Sequence, residues 1–367
     1  MEIAITAIGT ANPSFCQEQN KVIEFMMNTL SLSSVEKRRL KVIYHATGIQ
    51  NRYSVLEDFT KLSGPLDFFS KEDDQFPTTK HRMFIYKQNA LPLALQAIHN
   101  CFANLDNFNP HSITHLITVS CTGMSAPGLD IEIVQHLKLP NSTHRTTINF
   151  MGCYGVFNGI KCATAICKAY PNAKVLVVSV ELCTLHFQKS NSLDNMISSA
   201  IFADGAGAVL IEANPTQYKY FTCDNFYCDL MSERGGGQAM TWEIADHGFD
   251  IVLSSYVPQL LEVGIKHFIE KLNQVFIMKK PRYYAIHPGS KKILQACERA
   301  LKITAHDNRF SYEVLRQHGN MSSATILFVL KKIWEINRQE DHQGTIFCCA
   351  FGPGLTIESM LLTLNHG

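Results

Sequence analysis

Cys153 stands where the sequence changes from a strand-like to a helix-like pattern. The segment Asn149-Phe150-Met151-Gly152-Cys153-Tyr154-Gly155 follows β-branched residues, and helical periodicity begins at Cys153. Free backbone N–H groups and the positive end of a helix dipole favour a thiolate, the nucleophilic form of cysteine. The competing interpretation is a buried, unreactive thiol, because free cysteine is among the most buried residue types. Since the chain has twelve cysteines, Cys153 needs support from other residues.

Two later segments supply side chains that could act with a thiolate. His287 ends a predicted strand directly before Pro288-Gly289, a dipeptide that forces a turn and leaves the imidazole at the strand end. Asn320 follows Gly319 and opens an apolar stretch of helical period. A thiol, an imidazole and a carboxamide are the groups that covalent, nucleophilic catalysis uses. Taken singly, His287 could be an ordinary turn histidine and Asn320 a plain helix N-cap.

The composition is that of a globular chain without a strong overall charge. Its 367 residues are 46% hydrophobic, enough for a large core in two domains or one fused pair. Lys and Arg number 33 against 32 Asp and Glu, so no net field recruits nucleic acid or an anionic membrane. The start of the chain lacks the features of a signal peptide, and no apolar run approaches the length of a membrane span. We therefore expect a cytoplasmic protein with reduced thiols and no metal site.

Strand-like and helix-like segments alternate along the chain, which predicts an α/β layered fold. Predicted strands cover residues 3–9, 115–120, 146–150, 174–180, 205–212, 218–230, 282–286, 345–350 and 355–362. Predicted helices cover residues 19–30, 34–47, 83–101, 130–137, 153–169, 258–272, 291–301 and 320–336. The glycine triplet at 235–237 has the most linker-like composition.

The pattern around Cys153 recurs around Asn320. In each case a glycine, Gly152 or Gly319, precedes a long apolar helix that opens with a residue capable of chemistry. This predicts two related halves, residues 1–213 and 214–367, with the boundary in Ala213-Asn214-Pro215-Thr216. A shared site would then lie between the two helix starts.

Six motifs, in this order, resemble those of type III polyketide synthases, the chalcone and stilbene synthase group of the thiolase fold, and the bacterial members more than the plant ones. They are Ser120-Cys121-Thr122-Gly123 with Pro127-Gly128, Gly152-Cys153, Phe202-Ala203-Asp204-Gly205-Ala206, Ile286-His287-Pro288-Gly289, Gly319-Asn320-Met321-Ser322-Ser323-Ala324 and Phe351-Gly352-Pro353-Gly354. The interval of 33 residues from His287 to Asn320 also has the family's spacing. The resemblance implies a thiolase-like α/β fold in which two related αβαβα halves form five layers.

The resemblance also implies an acyltransferase with three catalytic residues. Cys153 would take an acyl group from coenzyme A, and His287 would hold the proton balance that keeps Cys153 ionised. His287 and Asn320 would donate hydrogen bonds to a thioester carbonyl, which stabilises the enolate left when a malonyl thioester loses carbon dioxide. The carbanion would attack the Cys153 thioester in an effectively unimolecular step. Repeated condensation and cyclisation would give an aromatic or pyrone product, with coenzyme A thioesters as substrates and no cofactor.

The resemblance further places the substrate pocket. Phe202 would stand between the pocket and the coenzyme A tunnel, where an aromatic ring can limit water entry, although Phe before Ala-Asp-Gly is also typical of a core. A second gating position corresponds to Ile251. The methionine that plant dimers insert into the neighbouring subunit's cavity corresponds to Ala126. The other lining positions correspond to Cys121, Thr122, Cys183, His186, Ser198 and Ser322.

Basic residues early in the chain are the candidates for binding coenzyme A phosphates, which need charge-assisted donors. The resemblance favours Arg39, with Lys37 beside it. Two other basic positions of the plant enzymes correspond to Val42 and Ala46, so the phosphate-binding patch must differ here. A solvated helix face accounts for the basic cluster equally well.

The departures from the plant pattern favour an aliphatic, long-chain acyl-CoA starter, extended to an alkylpyrone or alkylresorcinol, over p-coumaroyl-CoA. Alanine instead of methionine at Ala126 would enlarge or reshape the cavity. His186 stands where plant enzymes have threonine and could instead shorten the cavity. That would favour malonyl-only chemistry with tetrahydroxynaphthalene or phloroglucinol-type products.

Other classes stay open at this point. A ketoacyl synthase III-like enzyme would condense once per turnover, on carrier-protein thioesters. A cysteine thioester hydrolase would use Cys153 and His287 without consuming malonate, and Asn320 argues against it. A non-catalytic scaffold would lack one of the three residues, and all are present. By resemblance we expect a homodimer that pairs across the strand at 146–150 and binds an acyl-CoA starter and malonyl-CoA.

Overall fold

The computed structural model describes residues 1–61, 64–69, 76–217, 219–231, 239–254, 257–275, 280–336 and 344–366. The strands are β1 (Ile3–Ala11), β2 (Phe15–Glu18), β3 (Asn51–Ser54), β4 (His115–Ser120), β5 (His144–Asn149), β6 (Lys174–Leu182), β7 (Asp204–Ala213), β8 (Lys219–Leu230), β9 (Met240–Ala245), β10 (Gly248–Leu253), β11 (Tyr283–Ile286), β12 (Gly344–Gly352) and β13 (Thr356–His366). The helices are α1 (Gln19–Thr29), α2 (Ser34–Ala46), α3 (Thr79–Phe102), α4 (Leu129–His136), α5 (Gly155–Ala169), α6 (Leu193–Ile201), α7 (Val257–Val275), α8 (Lys291–Leu301), α9 (Arg309–His318) and α10 (Thr325–Ile336). The glycine triplet at 235–237 lies outside the described residues.

One sheet runs through the molecule in the strand order β11-β12-β13-β8-β1-β7-β6-β4-β5. Its middle is a short junction, because β1 and β8 pair only at Ala4↔Thr222 and Ile5↔Phe221. Outward from β1, strands β7 and β6 are antiparallel to their inner neighbours and β4 is parallel to β6. Outward from β8, strands β13, β12 and β11 repeat the same directions. Strand order and direction therefore repeat on the two sides of the junction, while the boundary near residue 213 stays a prediction.

Helices cover the sheet in layers, and β1 shows why. Side chains along a strand alternate between its faces, so one strand can serve two cores. Ile3, Ile5 and Ile8 belong to a central apolar cluster that also contains α5 and α10. Ala7 and Ala11 face a second cluster, covered by α1 and α3. Helices α7 and α8 cover the outer face of the C-terminal strands in a third cluster. The resulting α-β-α-β-α order confirms the expected thiolase-like fold.

The two helices expected to open with catalytic residues begin later than predicted. Helix α5 begins at Gly155, and Cys153 lies in the turn before it. Asn320 precedes a short 3-10 turn, Ser322–Ala324, which leads into α10. The preceding glycines explain the delay, since Gly152 and Gly319 have φ values of 80° and 73° in the left-handed region. A corner of this kind turns the chain before a helical ladder can form, so Cys153 and Asn320 both lie at corners.

In the described ranges, no helix has both the length and the apolar character needed to cross a bilayer.

Candidate active site

The Cys153 thiol is hydrogen-bonded to the side chains of two residues from the C-terminal part of the chain. Ser322 and Asn320 both hydrogen bond to the thiol, and both bonds favour the thiolate. The apolar surroundings oppose them more strongly: burial raises the pKa of Cys153 to about 12, and the nearby Glu181 carboxylate adds to that shift. The backbone N–H group at this turn favours the thiolate, as the sequence suggests, but desolvation outweighs it. Ionising Cys153 requires a proton acceptor.

His287 is the candidate acceptor. It follows β11 and is 1% exposed, with its backbone N–H donating to Cys349 O at 2.8 Å. Neither ring nitrogen has a hydrogen-bond partner within the described part of the chain. Burial lowers the pKa of His287 to about 3, so the ring is neutral and one nitrogen has a free lone pair. Protonation of that nitrogen in the apolar surroundings needs an anion beside it, which the Cys153 thiolate would supply. Unpaired polar atoms in a buried position cost free energy, and native structures have few of them. The two unpaired nitrogens therefore mark His287 as a candidate for hydrogen bonding to a substrate.

Asn320 connects the two other catalytic candidates. Its Oδ1 accepts hydrogen bonds from Ser322 N at 2.9 Å and Thr325 Oγ1 at 3.3 Å, which fixes the orientation of the amide. The Nδ2 therefore faces away from these donors and contacts Gly289 O at 3.4 Å, on the loop that begins with His287. Asn320 thus touches both Cys153 and the His287 loop, and its Nδ2 is a preorganised donor.

A cavity with about 580 Å³ of empty volume opens from Cys153. Eight of the nine predicted pocket positions line it: Cys121, Thr122, Cys183, His186, Ser198, Phe202, Ile251 and Ser322. Ala126 does not, because it lies exposed in the loop between β4 and α4. The family resemblance relates Ala126 to the cavity of the partner subunit, and the structure contains one chain.

Sequence reasoning missed the β9–β10 hairpin, which closes one side of this cavity. Trp242 lies directly opposite Ile251 in the hairpin register, and its indole Nε1 donates to Cys121 O at 2.7 Å. Met240 and Thr241 of the same strand, together with Phe187 from the β6–α6 connection, complete the wall. The turn signal Asp246-His247-Gly248 could have revealed the hairpin and identified Trp242 as the cross-strand neighbour of Ile251.

His186 forms a fixed part of the cavity wall. Its ring stacks on Phe249 with centroids 4.1 Å apart and meets Trp242 edge-on at 5.5 Å. The Nδ1 accepts from Phe249 N at 3.0 Å, which leaves Nε2 to donate to Thr122 O at 2.7 Å. Burial lowers the pKa of His186 to about 3. The residue is thus a neutral, fully bonded wall rather than a proton-transfer group.

Glu181 is a second residue that the sequence reasoning missed. Its carboxylate is fully buried and accepts bonds from Cys121 N at 3.0 Å, Thr122 Oγ1 at 2.9 Å and Ser323 Oγ. Burial raises its pKa to about 7, although the hydrogen bonds oppose this shift. The carboxylate therefore joins the corner after β4 to the segment after Asn320. A single acidic residue within the apolar run of β6 was the available signal.

The candidate phosphate-binding residues lie elsewhere. Arg39 and Lys37 are exposed on α2 and do not line the catalytic cavity. A separate groove with about 960 Å³ of empty volume lies between α2, α6, α7 and α8, and Lys291 and Lys292 border it. In the described part of the molecule, no three His, Cys, Asp or Glu side chains converge as a metal site requires.

The comparisons with known proteins agree with this geometry. Residues 2–215 match the family model for the N-terminal domain of chalcone and stilbene synthases, and residues 234–364 match the model for the C-terminal domain. The chain therefore belongs to the chalcone and stilbene synthase family, that of the type III polyketide synthases, and is a condensing enzyme of the acyltransferase type.

Relatives match along nearly the whole chain. A putative chalcone synthase from Bacillus subtilis is 30% identical over 379 residues, 99% of each protein. An alpha-pyrone synthesis polyketide synthase-like protein, Pks18, from Mycobacterium tuberculosis is 27% identical over 98% of this chain and 91% of its own. The chain also matches a probable polyketide synthase of Dictyostelium discoideum at 28% identity, but spans only 11% of that protein's length. Among solved structures, PKS-I of the brown alga Ectocarpus siliculosus superposes with a TM-score of 0.90 at 26% identity, covering 100% of this chain and 98% of that one.

The buried Glu181 makes stability depend on pH. Its pKa is about 7 in the folded protein against an ordinary value of 4.5, so the folded state holds a proton that the unfolded chain releases between these values. The free energy of unfolding should therefore fall as the pH rises through this window. We expect Glu181→Gln, which cannot ionise, to reduce the loss by about 1–3 kcal/mol. Urea unfolding of both proteins at pH 5 and pH 8 measures the difference, and equal pH dependence in both would contradict this origin.

Proposed function

We propose that the chain loads an acyl group from acyl-CoA onto Cys153, extends it by repeated decarboxylative condensation with malonyl-CoA, and cyclises the product to an aromatic ring or pyrone. One observation carries this proposal. Cys153 lines an apolar cavity, and the Asn320 amide bonds both to its thiol and to Gly289 O, on the loop that carries the unpartnered His287. Such a site holds a nucleophile, a proton acceptor and hydrogen-bond donors in a place that excludes water.

The proposed reaction begins with the loading of Cys153. His287 takes the Cys153 proton, the thiolate attacks the acyl thioester, and coenzyme A leaves as a thiol with the proton that His287 returns. Malonyl-CoA then loses carbon dioxide, and the two electrons of the broken C–C bond form an enolate. His287 and the Asn320 Nδ2 donate to the enolate oxygen. The carbanion attacks the Cys153 thioester, releases the thiolate and leaves an acyl chain longer by two carbons on coenzyme A.

Aliphatic starters, long chains included, are the proposed substrates. Apolar side chains dominate the cavity walls, among them Ile251, Met240 and Phe202, and the similar protein Pks18 is named for alpha-pyrone synthesis. A second candidate is malonyl-only chemistry, in which no separate acyl-CoA starter is used. The stack of His186 on Phe249, with Trp242 across it, favours that candidate because it closes one wall of the cavity with fixed rings.

The two substrate candidates separate in one assay. The enzyme is incubated with malonyl-CoA and with acetyl-, octanoyl-, lauroyl-, palmitoyl- or p-coumaroyl-CoA, and the products are identified by mass spectrometry. We expect pyrones or resorcinols from the aliphatic starters, at rates well above those with p-coumaroyl-CoA. Products from malonyl-CoA alone, with no incorporation above acetyl, would select the second candidate. Preference for p-coumaroyl-CoA would contradict both, and one condensation per turnover would favour a ketoacyl synthase III-like enzyme.

Substituting the nucleophile separates loading from decarboxylation. We expect Cys153→Ala to load no starter, whereas Cys153→Gln should still decarboxylate malonyl-CoA because His287 and Asn320 keep their positions. Release of labelled carbon dioxide from malonyl-CoA measures the second activity. A folded Cys153→Gln variant that releases none would show that the division of labour among the three residues is wrong. Hydrolysis of acyl-CoA by the wild type without malonyl-CoA consumption would instead indicate a thioester hydrolase.

The coenzyme A moiety is proposed to enter along the groove beside α6. Ile197 and Ile201 of α6 border the groove, while the next residues, Ser198 and Phe202, border the catalytic cavity. The end of α6 therefore separates the two spaces, with Phe202 placed as the gate that the family resemblance implies. The groove walls are apolar, which suits a pantetheine arm.

Lys291 and Lys292 are the basic residues that border this groove. Both are exposed at the start of α8, where cationic side chains and free backbone N–H groups suit a phosphate. Val42 and Ala46, which correspond to basic residues of the plant enzymes, border the same groove from α2. In this chain the basic residues of the groove therefore lie on α8 instead of α2. We therefore propose that Lys291 and Lys292 bind the phosphates more strongly than Arg39 and Lys37 do.

Charge reversal tests this assignment. We expect the double substitution Lys291→Glu and Lys292→Glu to raise the KM for malonyl-CoA about 10-fold or more, equivalent to at least about 1.4 kcal/mol. The matched control, Lys37→Glu with Arg39→Glu, should change it less than about 2-fold. Malonyl N-acetylcysteamine thioester has no phosphates, so its KM should be the same in all three proteins. A larger effect at Lys37 and Arg39 would restore the assignment from the sequence.

A homodimer is proposed through β5. This strand forms one edge of the large sheet, and residues 144–147 are exposed on both of its faces. An uncovered sheet edge of this kind invites pairing with another strand. Light scattering measures the mass in solution. A mass of twice that of one chain, which is 41.2 kDa, would support a dimer, and the mass of a single chain would contradict it.

A further inference from the structure

A buried guanidinium lies directly behind the gate residue. Arg52, in β3, is 5% exposed, and its Nη1 donates to Ser199 O at 2.5 Å and to Phe202 O at 2.9 Å. These carbonyls close α6, so the cation lies at the negative end of the helix dipole. The ring of Tyr44 packs 5.5 Å from the guanidinium carbon and its hydroxyl donates to Ser199 Oγ at 3.1 Å. The backbone of Phe202 is therefore held from this side by one side chain.

The backbone of Asn320 holds the same turn from the other side. Asn320 N donates to Ile201 O at 3.0 Å, and Ala203 N donates to Asn320 O at 2.9 Å. Gly319, with φ of 73°, brings the two segments together: a Cβ at this position would lie 3.0 Å from Ile201 O and 3.3 Å from Arg52 Cγ. Gly319 therefore packs closely against both the end of α6 and Arg52, with no room for a side chain at this position.

The placement of Arg52 is costly, which indicates a positional role. Burial lowers its pKa, and its Nε has no hydrogen-bond partner within the described residues. The Asp204 carboxylate attracts it electrostatically but is hydrogen-bonded to Thr184 and to Val55 N instead. A buried cation without a bonded carboxylate contributes little to stability, whereas its Nη1 ties together the two carbonyls that it binds.

We propose that Arg52 is a positioning residue for the condensation reaction, which holds Phe202 and Asn320 in fixed register relative to Cys153. The inference rests on the proposed function, because it takes Asn320 as the enolate donor and Phe202 as the gate. Both bonds leave one nitrogen, Nη1, and lysine, whose ammonium ends one bond closer to the backbone, keeps the positive charge but does not reach this point. A displacement of Asn320 by about 1 Å is enough to lower a rate by about 100-fold.

The test compares two activities in Arg52→Lys. Mass spectrometry of the intact protein measures the fraction of chains that an acyl-CoA acylates at Cys153, and labelled carbon dioxide measures malonyl-CoA decarboxylation per acylatable chain. We expect near-complete acylation, since Arg52 has no bond to Cys153, together with decarboxylation at least about 10-fold slower than in the wild type. Hydrogen exchange at the backbone N–H of Asn320, which donates to Ile201 O, should be faster in the variant.

A second buried polar residue provides the matched control. Asp58 is 2% exposed and accepts bonds from the backbone N–H groups of Asp67, Phe68 and Phe69. Asp58→Asn should lower stability yet leave decarboxylation per acylatable chain unchanged. If Arg52→Lys does not fold, Arg52→Gln, which keeps hydrogen-bond donors on a neutral side chain, takes its place.

The outcomes are distinct. Equal losses of acylation and decarboxylation in the Arg52 variant, a loss matched by Asp58→Asn, or an unchanged decarboxylation rate would each overturn the positioning role. Failure of the wild-type protein to decarboxylate malonyl-CoA would instead overturn the proposed function.

Discussion

The site depends on a backbone bridge between Phe202 and Asn320, two residues far apart in the chain. The bridge joins the end of α6, in the N-terminal part, to the segment before α10, in the C-terminal part. Since Asn320 also bonds to Cys153 and contacts the His287 loop, a shift at this bridge would move Phe202 and the Asn320 amide together. The Gly319 corner and the buried Arg52 lie directly against it. The repeated strand order matters for function because it brings these segments to the same place.

Desolvation is the second condition that shapes the chemistry. Burial pushes Cys153, His287, Glu181 and His186 towards their neutral forms, and the directions agree although the residues differ in type. In the proposed mechanism, charge therefore arises only when a proton moves from thiol to imidazole or when an enolate forms. Fixed donors are worth most under these conditions, because the low dielectric strengthens each hydrogen bond to a charge.

Much of this arrangement could be predicted from the sequence. Strands such as β4 and β6 and helices such as α2 and α8 have periodic patterns and clear ends, and the ordered motifs identified the family. Hydrophobic patterns did not identify β9 and β10, because their residues face partly the cavity and partly solvent. Glu181 and Arg52 were also missed, since a buried charge contradicts the pattern of its own strand and becomes visible only through its partners. The raised pKa of Cys153 could not be predicted, because the sequence shows the turn before the helix but not the apolar surroundings.

In the proposed mechanism Cys153, alone among the twelve free cysteines, carries the acyl group. Incubation with octanoyl-CoA, without malonyl-CoA, followed by proteolysis and tandem mass spectrometry locates the acyl mass. The account predicts an octanoyl thioester on Cys153 only, with one coenzyme A released per acylated chain. An acyl group on another cysteine, or release of coenzyme A without any acylated peptide, would contradict it.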